Sequence, residues 1–184
     1  MPGEVVMGGH VTKVSVLGSG AWGTALANVL ARNGQAVSLW TRQAKIRDSI
    51  LEKRENTRYL PGVPIHEAVA PELDMEACLR GASTVLFVVP TQATREVAAL
   101  AAPHLGAGTL IVSATKGIEN GSLAFVDEIL RDELPPALHD SLAFLSGPSF
   151  AKELCQGTPT VVVVAAHQKA VCSAVMKQFH APYL

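Results

Sequence analysis

A chain of 184 residues is long enough to bury one substantial hydrophobic core, so a single folded domain is expected. Hydrophobic residues make up 48% of the chain and charged residues 17%, which excludes a disordered protein and favours a sheet buried on both faces. The net charge of −1 leaves no basic surplus, so we expect neither nucleic acid nor a membrane surface as a partner.

The cysteine and histidine patterns argue against a disulfide framework and a metal site. Cys78, Cys155 and Cys172 are odd in number, widely spaced and form no C-x-x-C pair, and the six histidines never recur at i, i+4. We therefore predict no metal and a reducing, cytoplasmic location. Residues 1–10 lack the features of a signal peptide, and no apolar run reaches the ~18 residues of a membrane span. We expect a flexible N-terminus over 1–10 and one domain over 11–184.

From residue 11 onward, apolar runs alternate with segments of helical spacing. The pattern predicts strands at 11–17, 36–40, 84–89, 109–113, 142–146 and 160–166, the last as a buried strand. It predicts helices at 21–33, 43–53, 75–80, 92–102, 123–134, 150–155 and 169–180, with an irregular segment at 56–64. Such alternation is typical of an α/β fold. We predict a Rossmann-type, doubly wound, mostly parallel sheet with helices on both faces.

The turn between the first strand and the first helix carries the strongest functional signal. It reads G-x-G-x-x-G at Gly18, Gly20 and Gly23, and a second strand follows the helix stop Asn33-Gly34. The glycines permit a tight turn, a close approach of a pyrophosphate and close packing of helix on strand, while the helix N-terminus attracts the anion. The alternative is a glycine-rich turn without a ligand. We predict a dinucleotide site at Gly18, Ser19, Gly20, Ala21, Trp22 and Gly23, although Trp22 is equally suited to burial against the sheet.

The end of the second strand bears on the choice of cofactor. An NAD-selective site usually places a carboxylate about 20 residues after the glycines, but this chain has Thr41 and Arg42 there. A guanidinium can pair with a 2′-phosphate, so we predict that NADP(H) is accepted and preferred, with NAD(H) also bound. The alternative is that Arg42 is only the solvated start of a helix. The missing carboxylate also counts against an S-adenosylmethionine site.

Two further loops follow strands at the edge where ligands bind in such sheets. Lys116 lies between a strand and Gly117, where it is either a surface lysine or a cation that holds an anionic substrate. Ser149 follows the strand at 142–146, where it either caps a helix or helps to present backbone donors to a ligand. Tyr59, in the irregular segment, belongs either to the core or to a cover over the adenosine.

Together these motifs resemble a known family. The segments GSGAWGTALA at 18–27, LWTR at 39–42, NTRYLPG at 56–62, VVP at 88–90, ATKG at 114–117 and SGPSFAKE at 146–153 are similar to those of bacterial NAD(P)-dependent glycerol-3-phosphate dehydrogenases. The resemblance implies reduction of dihydroxyacetone phosphate to sn-glycerol 3-phosphate, a phospholipid precursor, in the cytoplasm by a homodimer. It implies cofactor contacts at Ala21, Trp22, Arg42, Tyr59, Lys116 and Ala151, and substrate contacts at Lys116, Gly147 and Ser149.

Members of that family are much longer than this chain. Their helical second domain carries the catalytic lysine, the residues that grip the substrate phosphate and most of the subunit contact. The resemblance therefore implies that this helical C-terminal domain is absent here, that the catalytic residues fall beyond Leu184, and that the chain binds NADP(H) with negligible turnover. Two alternatives stay open: a stand-alone NAD(P)-binding regulatory module, and half of another two-domain dehydrogenase acting on a hydroxy acid or sugar acid.

Overall fold

A computed structural model describes residues 12–184, so the predicted flexible segment 1–10 and residue 11 lie outside the described residues. Its centre is a seven-stranded sheet in the order β5-β2-β1-β6-β7-β8-β9, in which β9 alone runs antiparallel to its neighbour. The strands are β1 (Lys13–Leu17), β2 (Ala36–Trp40), β5 (Val69–Glu72), β6 (Thr84–Phe87), β7 (Leu110–Ser113), β8 (Leu142–Ser146) and β9 (Val163–Ala166). The prediction of a mostly parallel, Rossmann-type sheet is confirmed.

Helices cover both faces of this sheet, as predicted. They are α1 (Ala21–Arg32), α2 (Ala44–Lys53), α3 (Met75–Leu79), α4 (Thr91–Ala101), α5 (Val126–Glu133), α6 (Ala151–Cys155) and α7 (Lys169–Phe179). One core contains buried residues of α1, α2, α6 and α7, and a second contains residues of α3, α4 and α5. Within residues 12–184, no helix has both the length and the hydropathy needed to cross a membrane.

The alternation of side chains along β1 divides these two cores. Val14 and Val16 pack into the first core, whereas Leu17 packs into the second. Ser15 lies on the same face as Leu17, and its hydroxyl donates a hydrogen bond of 2.7 Å to the carbonyl of Cys78. Burial in this second core raises the pKa of the Cys78 thiol to about 12. The central strand thus has no solvent-facing side.

The segment predicted as irregular is instead a small antiparallel hairpin, so that prediction is wrong. Its strands are β3 (Glu55–Asn56) and β4 (Leu60–Pro64), and Arg54 enters it in the left-handed conformation with φ of 50°. The following edge strand β5 was not predicted. Its sequence VAPE is short and contains a proline, which is tolerated because an edge strand leaves one side of its backbone unpaired.

The valine run near the C-terminal end was predicted as a buried strand over 160–166, and this is also wrong. The strand is confined to Val163–Ala166 and lies at the sheet edge, with Val161 and Val163 72% and 63% exposed. Only alternate side chains, such as Val164, pack against the core. A continuous β-branched run does not reveal that one of its faces is open, because the hydrophobic pattern is the same for a central and an edge strand.

The order of strands divides the sheet into two halves that meet at β1 and β6. The two strands are parallel, and their pairing extends from Val14 and Thr84 to Leu17 and Phe87. The chain leaves β1 toward one edge of the sheet and later leaves β6 toward the other. Their carboxyl ends therefore diverge and open a crevice, which is where ligands bind in sheets of this type.

Candidate functional site

The glycine turn after β1 is shaped by contacts that no other residue could make. Gly18 has φ of +120°, and a Cβ added there would overlap the carbonyl group of Val88. A Cβ on Gly23 would overlap the carbonyl oxygen of Gly18. A Cβ on Gly20, by contrast, would meet no atom within 4 Å. Two of the glycines are thus needed for packing, whereas Gly20 leaves the main chain open to the crevice.

Gly20 is also the N-cap residue of α1, and no side chain caps this helix. The first turn of a helix has backbone N–H groups without intrahelical acceptors, and the helix dipole makes this end positive. The first turn here is formed by Ala21, Trp22 and Gly23. Donors that face an open crevice at the positive end of a helix form a site for a phosphate or pyrophosphate.

A buried polar network holds the turn against the hairpin. The Ser19 hydroxyl donates to the Thr41 hydroxyl at 2.7 Å, so this side chain points inward and leaves only the Ser19 backbone for a ligand. The Asn56 amide, fully buried, donates to the Ser19 carbonyl at 2.8 Å and to the Thr24 hydroxyl at 2.9 Å. Its oxygen accepts the backbone N–H of Tyr59 at 3.1 Å. Asn56 therefore connects the glycine turn to the segment that carries Tyr59.

A first cleft of about 260 Å³ lies on the β2 side of the turn. Its lining consists of Gly18, Ser19, Gly20, Trp40, Thr41, Arg42, Gln43, Tyr59, Val88, Val89 and Pro90. Tyr59 is 37% exposed, which decides against a core role. The Arg58 guanidinium lies 5.1 Å from the centre of the Tyr59 ring and donates to the Gln43 amide oxygen at 2.8 Å. The hairpin thus contributes an aromatic wall backed by a cation.

Arg42 lies at this first cleft, as predicted, but its guanidinium already has a partner. One of its Nη atoms is 3.3 and 3.4 Å from the two carboxylate oxygens of Glu96 in α4, and both side chains are more than half exposed. The Arg42 guanidinium is therefore exposed and ion-paired, and the alternative of a solvated helix start stays open. Its assignment to a 2′-phosphate stays a prediction.

A second cleft of about 400 Å³ lies on the other side of the turn. It is lined by Gly20, Ala21, Trp22, Gly23, Val88, Val89, Pro90, Ala114, Thr115, Lys116 and Ser149. The Lys116 ammonium donates to the Gly147 carbonyl at 2.7 Å, while the Lys116 carbonyl accepts the Thr91 hydroxyl at 2.7 Å. Trp22 is half-buried, so it both lines this cleft and packs on the core.

The loop after β8 brings some predicted residues to this second cleft and not others. Ser149 lines it, but the N-cap of α6 is Phe150, and the Ser149 hydroxyl donates only a long bond of 3.5 Å to the Gly147 carbonyl. The alternative of Ser149 as a helix cap is therefore wrong. Ala151 packs against the core and is absent from the lining of both clefts. Its contact with a cofactor stays a prediction.

Three residues of the site were not found from the sequence: Asn56, Thr91 and Glu96. Asn56 and Thr91 position the glycine turn and Lys116 through long-range hydrogen bonds, and Glu96 pairs with Arg42 from a different helix. Asn56 begins the NTRYLPG motif, which could have marked it. A surface glutamate in the middle of α4 carries no such signal.

The two clefts share Gly20, Val88, Val89 and Pro90, so they form one elongated crevice across the glycine turn. This shape fits a dinucleotide with its pyrophosphate at the helix N-terminus, one nucleoside in each cleft, and open space where the absent Cβ of Gly20 would stand. Among the residues that the structure describes, no group of three or more His, Cys, Asp or Glu side chains is placed to hold a metal ion.

Comparisons with known proteins agree with this geometry. Residues 13–172 match the family model described as the N-terminus of NAD-dependent glycerol-3-phosphate dehydrogenase. Glycerol-3-phosphate dehydrogenase [NAD(P)+] of Myxococcus xanthus is 49% identical over 83% of this chain and 46% of its own length, and that of Anaeromyxobacter dehalogenans is 43% identical over 91% and 51%. The crystal structure of glycerol-3-phosphate dehydrogenase from Coxiella burnetii superposes with a TM-score of 0.85 at 35% identity, covering 94% of this chain and 52% of that one. The chain spans about half the length of these relatives.

Proposed function

Because the chain belongs to the family of NAD-dependent glycerol-3-phosphate dehydrogenases through its match to their N-terminal part, we propose that it binds NADP(H) and NAD(H). We further propose that it serves an oxidoreductase that interconverts dihydroxyacetone phosphate and sn-glycerol 3-phosphate. The observation that carries the proposal is the crevice across an open helix N-terminus, with a lysine at one end and an arginine at the other. The named relatives act on glycerol 3-phosphate, which favours this substrate over a hydroxy acid or sugar acid.

The residues of the crevice divide the work along its length. Backbone N–H groups of the first turn of α1 receive the pyrophosphate, and Tyr59 and Arg42 receive the adenosine end. When bound, the nicotinamide supplies or accepts the hydride at the carbon that bears the substrate oxygen. Lys116 lies in the second cleft beside Gly147 and Ser149, where its positive charge stabilises the negative charge that develops on that oxygen.

Calorimetric titration with NADPH and NADH tests the nucleotide site. Wild type should bind both and prefer NADPH, and Arg42→Glu should abolish that preference because a carboxylate repels the 2′-phosphate. Arg80→Glu is the matched control, since Arg80 is an exposed arginine paired with a glutamate, Glu76, at the opposite edge of the sheet. If neither nucleotide binds, the proposed site is wrong.

A second titration tests the substrate end and separates the enzyme from a regulatory module. The NADP-loaded protein should bind sn-glycerol 3-phosphate weakly, because the resemblance assigns the grip on the substrate phosphate to a helical second domain, and Lys116→Gln should weaken this binding further. Because Lys116 is also expected to contact the cofactor, the substrate is titrated at saturating NADP for both proteins. A nucleotide-binding module without chemistry would bind NADP and ignore the substrate. Family membership also supports a cytoplasmic role in supplying glycerol phosphate for phospholipids, and a homodimeric whole protein, as parts of the same proposal.

A further inference from the structure

The ion pair between Arg42 and Glu96 lies at the mouth of the first cleft, where the adenosine end of the cofactor is proposed to bind. Arg42 follows β2 and lines the cleft, and Glu96 reaches it from α4. The side chains are 56% and 61% exposed, and an exposed pair of this kind contributes little to folding stability. Its position at the cleft therefore calls for an explanation other than stability.

The chemistry of the pair matches the difference between the two nicotinamide cofactors. NADP carries a 2′-phosphate on its adenosine ribose, which a guanidinium binds and a carboxylate repels. NAD carries a 2′-hydroxyl there, which donates to a carboxylate and gains little from a cation. A site built for one cofactor presents one of these groups, whereas here the arginine that lines the cleft is paired with a carboxylate 3.3 Å away.

We propose that Glu96 is a specificity-determining residue that, by pairing with Arg42, reduces the preference of the crevice for NADP over NAD; this inference rests on the proposed nucleotide-binding function. With NADP, the Arg42 guanidinium leaves Glu96 and pairs with the 2′-phosphate. With NAD, the pair persists and the Glu96 carboxylate offsets the positive charge of Arg42. Glu96 therefore lowers the affinity for NADP and leaves that for NAD largely unchanged.

Other charged groups near the mouth do not replace this pair. Arg58 is held on the Tyr59 ring and by the Gln43 amide, both of which line the cleft, so its charge adds to that of Arg42. Among the described residues, the Arg42 guanidinium makes its salt bridge with Glu96 alone. Without the Glu96 charge, the two remaining charged side chains described at the mouth, Arg42 and Arg58, are both positive.

The test compares Glu96→Gln with Glu76→Gln. Glu76 is a matched control because it is equally exposed, at 61%, and pairs with an arginine at the opposite edge of the sheet. Each protein is titrated with adenosine 2′,5′-bisphosphate and adenosine 5′-monophosphate, which isolate the ribose substituent, and then with NADPH and NADH. Glu96→Gln should raise, about fivefold, the affinity ratio of the ligand with a 2′-phosphate to the ligand without one, through tighter binding of the ligand with the 2′-phosphate. Glu76→Gln should leave it unchanged.

Salt dependence separates an electrostatic role from a structural one. The fold-change in affinity ratio that Glu96→Gln causes relative to wild type should approach one at about 1 M salt, because exposed charges are then screened over about 3 Å. In an Arg42→Gln background the same substitution should have a smaller effect, since no guanidinium is released.

The outcomes distinguish this inference from the function on which it rests. Suppose that wild type binds both nucleotides but Glu96→Gln changes the affinity ratio by less than about twofold, or weakens the binding of the ligand with the 2′-phosphate. The role of Glu96 is then refuted and the nucleotide site stands. If wild type binds none of the four ligands, the proposed function and this inference both fail.

Discussion

Replacing Asn56 by alanine should destabilise the fold and weaken the binding of NADPH and NADH by the same factor. The side chain is fully buried and makes three hydrogen bonds, to the Ser19 carbonyl, the Thr24 hydroxyl and the Tyr59 backbone N–H. Alanine removes all three and leaves two acceptors and one donor without their partner. At about 1 kcal/mol for each bond, the free energy of unfolding should fall by about 3 kcal/mol.

A thermal scan and a calorimetric titration measure the two effects. For a chain of this length, 1 kcal/mol corresponds to roughly 2–4 °C in the midpoint, so Asn56→Ala should lower it by about 6–12 °C. The affinities for NADPH and NADH should decrease by the same factor, because the perturbed group is the glycine turn that both share.

Asn33→Ala is the matched control. Asn33 also donates two hydrogen bonds, to the carbonyls of Gln178 at 2.8 Å and His180 at 3.0 Å, but at an exposed position where water replaces them. A midpoint shift for Asn56→Ala no larger than that of Asn33→Ala would refute the reasoning. A loss of affinity for only one of the two nucleotides would refute it as well.

Two further predictions concern the glycines and the buried thiol. Gly20→Ala should leave the thermal midpoint nearly unchanged but weaken NADPH binding roughly tenfold or more by calorimetry, whereas Gly23→Ala should destabilise the fold because its methyl group overlaps the Gly18 carbonyl. Equal midpoints for the two variants would contradict this division. The Cys78 thiol has its pKa raised by burial from an ordinary 9.0 to about 12, so its contribution to stability is fully present below pH 9.0 and is lost as the pH rises toward 12. In urea titrations at increasing alkaline pH, wild type should lose stability more steeply than Cys78→Ala, and parallel losses would show that this thiol is not responsible.

The sequence predicted the parts of the site that depend on local chemistry. A glycine pattern between a strand and a helix has few other structural solutions, so Gly18, Gly20 and Gly23 were assigned correctly to a turn open toward the crevice. The ends of parallel strands meet at one edge, and this rule alone was enough to bring Lys116 and Ser149 to the same cleft.

The remaining features depend on contacts between distant segments. Glu96 lies 54 positions from Arg42 on a helix surface, and only the packed sheet brings their charges together. The hairpin at 55–64 was missed because its prolines and glycine resemble a loop, although an antiparallel pair of such short strands is held by its docking on α1 and α2. Edge position likewise decided the exposure of Val163, since no local pattern encodes what lies beyond a strand.

The neighbouring placement of β1 and β6 has a kinetic consequence. Val14 pairs with Thr84, whereas the other neighbouring strands of the sheet join positions less than half that distance apart. Closing the longest loop costs the most chain entropy, so the pairing that opens the crevice follows the local pairings during folding. A nucleotide can therefore recognise the chain only when the sheet is nearly complete. Bound cofactor should slow the unfolding of this protein while leaving the rate of its folding almost untouched.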